Sequence, residues 1–127
     1  MSRPEPPERF FTVEEANRSL DRLRTAIEHI QEARQIVLRT GERVHEAAPA
    51  DGGGKEGAEY WTALRDLRQE LEGLAGEGVI LRDPESGLVD FPSRREGRTV
   101  YLCWRLDEDI VGHWHEVDAG FGGRKPL

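Results

Sequence analysis

The chain has 127 residues, 36% of them hydrophobic, with one cysteine and a net charge of −7, which is room for about one domain around one modest core. That length excludes a (β/α)₈ barrel of about 250 residues, and no βαβ series of a dinucleotide-binding sheet is visible. The acidic balance argues against nucleic acid and anionic membranes as partners, because both require basic surface.

Residues 1–9 hold three prolines among alternating charges and lack material for a regular element, so 1–11 is expected to be a flexible tail. Thr12 with Glu15 three residues later has the spacing of a capping box, and a helix is expected from there. Val13, Ala16, Leu20, Leu23, Ile27 and Ile30 follow at steps of three and four, and the series resumes at Val37 and Val44. This is a coiled-coil-like seam, and it predicts a helix over 12–48 with a stop or kink near Gly41. The glycine-rich segment 49–57 is expected to be a mobile connector.

Tyr60, Leu64, Leu67, Leu71 and Leu74 then form a second seam, closed by Gly76 and Gly78, which predicts a helix over 58–75 and an antiparallel hairpin in which the first helix overhangs the second. From Gly78 the apolar period changes to two. Val79–Arg82, Leu88–Phe91 and Thr99–Trp104 read as strands, with turns at Asp83–Gly87 and Glu96-Gly97. The fold class is therefore α+β: a long antiparallel helical hairpin, a small antiparallel sheet, and a C-terminal segment that closes over it, with 78–127 as sheet plus segment and 1–127 as a single domain.

The string Gly87-Leu88-Val89-Asp90-Phe91-Pro92, then Val100-Tyr101-Leu102-Cys103-Trp104-Arg105, Trp114-His115, Gly120-Phe121, Arg124 and Pro126 resembles a bacterial family known as domain of unknown function 2203. The resemblance runs over essentially the whole chain and is most specific in 78–127. It implies one structural unit and carries no activity or catalytic residue.

Chemistry concentrates at the C-terminal end. His113 and His115 stand two apart, which puts both imidazoles on one face of an extended segment, and Asp118 lies within a turn of them. These three are the candidate ligands for a divalent metal such as zinc, with an open fourth position; the competing reading is that the histidines pair with nearby acids while Trp114 packs on the core. Cys103 could add a thiolate, although its apolar strand suits a small buried thiol. Arg124 beside Gly120–Gly123, together with Arg105, is the candidate anion site; the competing reading makes Phe121 a packed anchor of the tail. Arg94, Arg95, Arg98 and Arg105 with Tyr101 and Trp104 have the make-up of a single-strand nucleic-acid platform, but the acidic whole favours a solvated hairpin, and Asp90 is expected to pair with one of these arginines.

A lone cysteine forms no intramolecular disulfide, and the first residues lack signal-peptide character, so a cytoplasmic location is expected. The longest purely aliphatic runs are three residues, far short of the ~20 that span a bilayer, so no membrane association is expected. Two functions follow from the residues. One is a structural or interaction protein that forms a homo-oligomer through the overhanging seam. The alternative is a metal- or anion-binding protein of hydrolase type whose site lies in the C-terminal segment, with no catalytic residue assigned.

Overall fold

The computed structural model describes residues 9–51 and 54–127. Helices α1 (Val13–Arg18), α2 (Leu20–Asp51) and α3 (Gly54–Glu77) precede strands β1 (Ile80–Asp83), β2 (Leu88–Arg95), β3 (Arg98–Trp104), β4 (His113–Glu116) and β5 (Lys125–Pro126), with a 3-10 turn at Phe121–Gly123. The strands form one antiparallel sheet in sequence order, so the α+β class stands. By its internal contacts the chain divides into two units: the residues through Arg24 with Leu74–Leu127, and Thr25–Gly73.

In the Thr25–Gly73 unit α2 and α3 run antiparallel. His29 faces Glu70 and Arg39 faces Glu59, so later residues of α2 meet earlier residues of α3. Ile27 and Ile30 of the seam are buried, as their spacing requires, and Ala33, next in the chain to the seam position held by Arg34, is buried in its place. Gly41 does not end the helix: the backbone stays helical through it, and a Cβ there would meet the Tyr60 ring at 3.5 Å, an ordinary packing distance. Of the connector expected at 49–57, all but residues 52 and 53 is helical; those two lie outside the described residues. Because α3 starts at Gly54 and reaches the level of Gly41, the overhang of the first seam is shorter than expected. On α3 Leu74 of the expected stripe is buried, whereas Leu71 is 39% exposed and Ala63, outside the stripe, is buried.

In the other unit the Thr12 capping box forms in full: the Glu15 N–H donates to Thr12 Oγ1 at 3.1 Å and the Thr12 N–H to Glu15 Oε1 at 3.0 Å. The helix that follows is broken at Ser19, because the Ser19 hydroxyl donates to the Ala16 carbonyl at 2.7 Å and its N–H bonds the same oxygen at 3.1 Å. That local bond competes with the helical ladder. The seam survives the break, and Ala16, Leu20 and Leu23 are buried on both sides of it. At the other end α3 closes with a Schellman motif. The Val79 N–H bonds Leu74 O and the Gly78 N–H bonds Ala75 O, Gly78 has φ 85°, and Leu74 and Val79 are both buried.

Strands β2 and β3 are joined by the two-residue turn Glu96-Gly97, with φ 52° and 79°, the paired positive values of a type I′ hairpin. Pro92 sits past the end of β1's pairing, where its missing N–H costs no ladder bond. Its carbonyl accepts the Phe11 N–H at 2.7 Å, and Ser93 Oγ donates to Phe11 O at 2.6 Å. Phe11, expected within the flexible tail, is thereby buried edge-on against Phe91.

The register divides the sheet into two faces. Phe91, Leu102 and Trp114 align across three strands and, with Val89, Val100 and Trp104, make the apolar face. Asp90, Cys103 and His113 align on the opposite face, with Tyr101 and His115 one step along. The aligned Asp90 and Cys103, with His115, thus share the face opposite the apolar one.

Candidate metal centre

Asp90 lies between Val89 and Phe91 in β2, and alternation sends its carboxylate away from their apolar side. It is 2% exposed, so its charge requires partners. It has two: Arg82 Nε donates to Oδ2 at 2.8 Å, and His115 Nε2 lies 3.0 Å from Oδ1. The arginine expected opposite Asp90 is therefore Arg82 of β1, not one from the Arg94–Arg105 group, because β1 is the strand that flanks β2 on that side.

The other nitrogen of His115, Nδ1, lies 2.8 Å from the Glu116 carbonyl oxygen. A carbonyl only accepts, so Nδ1 carries a hydrogen. Nε2 is the nitrogen left towards Asp90 Oδ1.

Cys103 stands opposite Asp90 in the β2–β3 register and is 1% exposed. Burial, with the Asp90 charge beside it, pushes its thiol up to about 11, so by itself it is an inert thiol at neutral pH. The ligand atoms of Asp90, Cys103 and His115 all lie within 4.8 Å of one another. Among the described residues this is the group of three or more His, Cys, Asp or Glu side chains that converges in this way.

All three line a cleft of about 410 Å³ together with Arg82, Leu88 and the segment from Val117 to Phe121. The C-terminal segment closes over the polar face of the sheet, with Asp118 exposed among the cleft residues.

The structure therefore separates the residues expected to act together. His115 and Asp118 line the cleft, whereas His113 lies with its Nδ1 3.7 Å from Glu108 Oε2 and is not part of the converging group. Arg124 spends both terminal nitrogens on Glu108, at 3.0 and 2.9 Å, and Arg105 bonds Asp107 at 2.7 and 3.2 Å. The two guanidiniums of the candidate anion site are thus engaged by carboxylates of the same chain. Burial is the largest single influence on the Glu108 carboxyl and raises it, but the Arg124 hydrogen bonds, the Arg105 N–H at 2.8 Å and the Arg124 charge together outweigh it and hold Glu108 below its ordinary value of 4.5. Phe121 is 40% exposed, with Arg124 and Arg105 at 4.3 and 5.2 Å from its ring centroid. Arg95 and Arg98 lie over Trp114, and Arg98 is paired to Glu116 and Glu96, which leaves the hairpin tip a solvated, internally paired surface.

A model of the uncharacterized conserved proteins designated DUF2203 matches residues 9–127. The chain belongs to the DUF2203 family. The match takes in the described residues of both units, including every residue of the cleft. No curated protein and no solved structure matches the chain. Among the described residues no helix is long and apolar enough to cross a membrane.

Sequence reasoning missed Arg82 altogether and gave Asp90 only a structural part. The signal was present in Leu88-Val89-Asp90-Phe91, because an aspartate inside an apolar strand is buried at a cost that only a cation, a hydrogen-bond donor or a metal offsets.

Proposed function

We propose that this DUF2203 protein binds a divalent metal ion of the zinc class through Asp90, Cys103 and His115. The observation that carries this reading is the convergence of a carboxylate, a thiol and an imidazole within 4.8 Å at the wall of a cleft. In a tetrahedral site with bonds of about 2.0 to 2.3 Å the ligand atoms stand about 3.3 to 3.8 Å apart, so shifts of about 1 Å complete the geometry. The ion would sit between Nε2 and Oδ1 and displace the Cys103 proton, as a coordinating metal does to a thiol.

The surroundings support the same reading. A ligating histidine characteristically donates its second nitrogen to a carbonyl, which fixes the tautomer, and His115 does so to Glu116. Arg82 holds the Asp90 oxygen that faces away from the imidazole. Three protein ligands with a cleft at the fourth position match catalytic centres, whose bound water attacks a substrate, so the reaction class is hydrolysis. A free thiol ligand also suits a reducing, cytoplasmic compartment.

Dialysis against zinc followed by elemental analysis tests the assignment. One equivalent is expected in the native protein and in His113→Ala and Asp118→Ala, and none in Cys103→Ser, a one-atom change that preserves packing if the Asp90 and His115 variants unfold. Zinc retained in Cys103→Ser, or lost in His113→Ala, contradicts it.

A second reading, self-association, is favoured by one observation in the helical unit. Leu38 is 61% and Trp61 56% exposed, and they stand at one level of the hairpin, beside the Arg39–Glu59 pair and the Gly41–Tyr60 contact. In this reading the two side chains are parts of one apolar patch, the kind of surface that marks interfaces. Sedimentation is expected to show a dimer in the native protein and a monomer in Leu38→Glu/Trp61→Glu; a native monomer at high micromolar concentration contradicts it.

A further inference from the structure

Resting on the metal reading, we propose that the cleft takes a small anionic ligand, a carboxylate or a phosphate, held between the open metal position and the guanidinium of Arg82. The first ground is how Arg82 uses its nitrogens. Arg98, Arg105 and Arg124 each give a terminal guanidinium nitrogen to a carboxylate, whereas Arg82 gives Asp90 its Nε. Among the described residues, neither end of its fork meets a carboxylate. The bond through Nε and the stacking over the Tyr101 ring, at 5.0 Å, fix the plane of the guanidinium. Those are the conditions for bidentate recognition of a planar carboxylate or a phosphate. The side chain is 43% exposed and lines the cleft, so a solute reaches it.

The second ground is charge. A divalent ion carries +2, ionised Asp90 and the Cys103 thiolate together carry −2, and His115 bound through Nε2 is neutral. The centre is then balanced, and Arg82 leaves a net positive charge beside it. Asp118, the further acid of the cleft, is exposed to water, where its repulsion is screened. Leu88, Val117, Ala119 and Phe121 supply apolar wall, which suits a small organic acid or ester better than a free, fully hydrated ion.

Cobalt(II) reports both levels of the proposal, because zinc is spectroscopically silent and cobalt shows a thiolate charge-transfer band and ligand-field bands. Protein loaded with cobalt is titrated with acetate and with inorganic phosphate, against chloride at equal ionic strength. The expected result is a saturable change in the ligand-field bands with acetate or phosphate but not chloride; which of the two acts more strongly identifies the ligand chemistry. Affinity is expected to fall at least tenfold in Arg82→Gln and by less in Arg82→Lys, with the thiolate band retained as the sign that the centre is intact. Absence of the thiolate band in the native protein overturns the metal reading and this proposal with it. A native thiolate band with ligand-field bands that ignore both anions, or that follow chloride equally, overturns the anion proposal alone. Anion affinity unchanged in Arg82→Gln overturns the role of Arg82.

Discussion

Both units of the chain carry ion pairs on their surfaces, but among the described residues the sheet unit also buries one. In the helical unit the ion pairs lie on the surface: Arg39 and Glu59 are 60% and 47% exposed, and Arg65 with Asp66 is similar. In the sheet unit Asp90 and His115 are each 3% exposed at their side chains and are bonded to one another. Exposed pairs gain little, because water and salt screen them and side-chain entropy opposes them. A buried pair is costly to assemble and more costly to break. Surface charge therefore keeps the hairpin solvated, whereas the buried cluster exists at the expense of an easier apolar packing, which is the pattern of a site.

The sharpest way to break the comparison is to remove one charge from each unit. Asp90→Ala is expected to destabilise by about 3–5 kcal/mol, since it strands a buried imidazole and takes the partner from Arg82. Arg39→Ala is expected to change stability by less than about 0.5 kcal/mol. Chemical denaturation measures both, and equal losses would show that burial does not separate the two units.

An intermediate effect is expected from acid. Burial pulls the Glu108 carboxyl up, but the hydrogen bonds from Arg124 and from the Arg105 N–H, with the Arg124 charge, together hold it below its ordinary value of 4.5 in the folded chain. A carboxyl depressed on folding contributes stability above its unfolded value, and that contribution is lost as pH falls through the folded one. Melting temperature should therefore drop below about pH 5, and Glu108→Gln should flatten that limb of the curve while lowering stability near neutrality. An identical profile in the variant would show that the Arg124–Glu108 pair contributes nothing measurable.

A smaller effect of the opposite sign is expected in the sheet. Glu96 holds φ 52° in the β2–β3 turn, a conformation that disfavours a side chain with a Cβ. Glu96→Gly should stabilise by about 0.5–1 kcal/mol, read as a rise of a few degrees in melting temperature. A fall would mean that the Glu96 contact with Arg98 outweighs the strain.

Legibility in the sequence followed periodicity. The capping box at Thr12, the buried seam from Ala16 to Ile30, and the hairpin turn at Glu96-Gly97 were readable because each is a local pattern. The break at Ser19 was not, because it turns on one hydroxyl choosing the Ala16 carbonyl, and helix persists on both sides. Gly41 read as a stop or kink because its cost is local, while the packing of α2 against α3 that carries the helix through it lies across the hairpin. The site divided in the same way. Crowding of histidine, aspartate and arginine near the C-terminus pointed to the segment that borders the cleft, and His115, Asp118 and Cys103 all line it. The partnership of Asp90 with Arg82 and His115 was hidden, because it is set by strand register across residues 8 and 25 apart in the chain.

The most direct test of the metal centre is the coordination shell itself, read by X-ray absorption at the zinc edge on protein loaded with one equivalent. The centre built from Asp90, Cys103 and His115 requires one sulfur at about 2.3 Å beside nitrogen and oxygen at about 2.0–2.2 Å. A shell of nitrogen and oxygen alone would contradict it and would place the ion on histidines and carboxylates such as His113, His115 and Asp118.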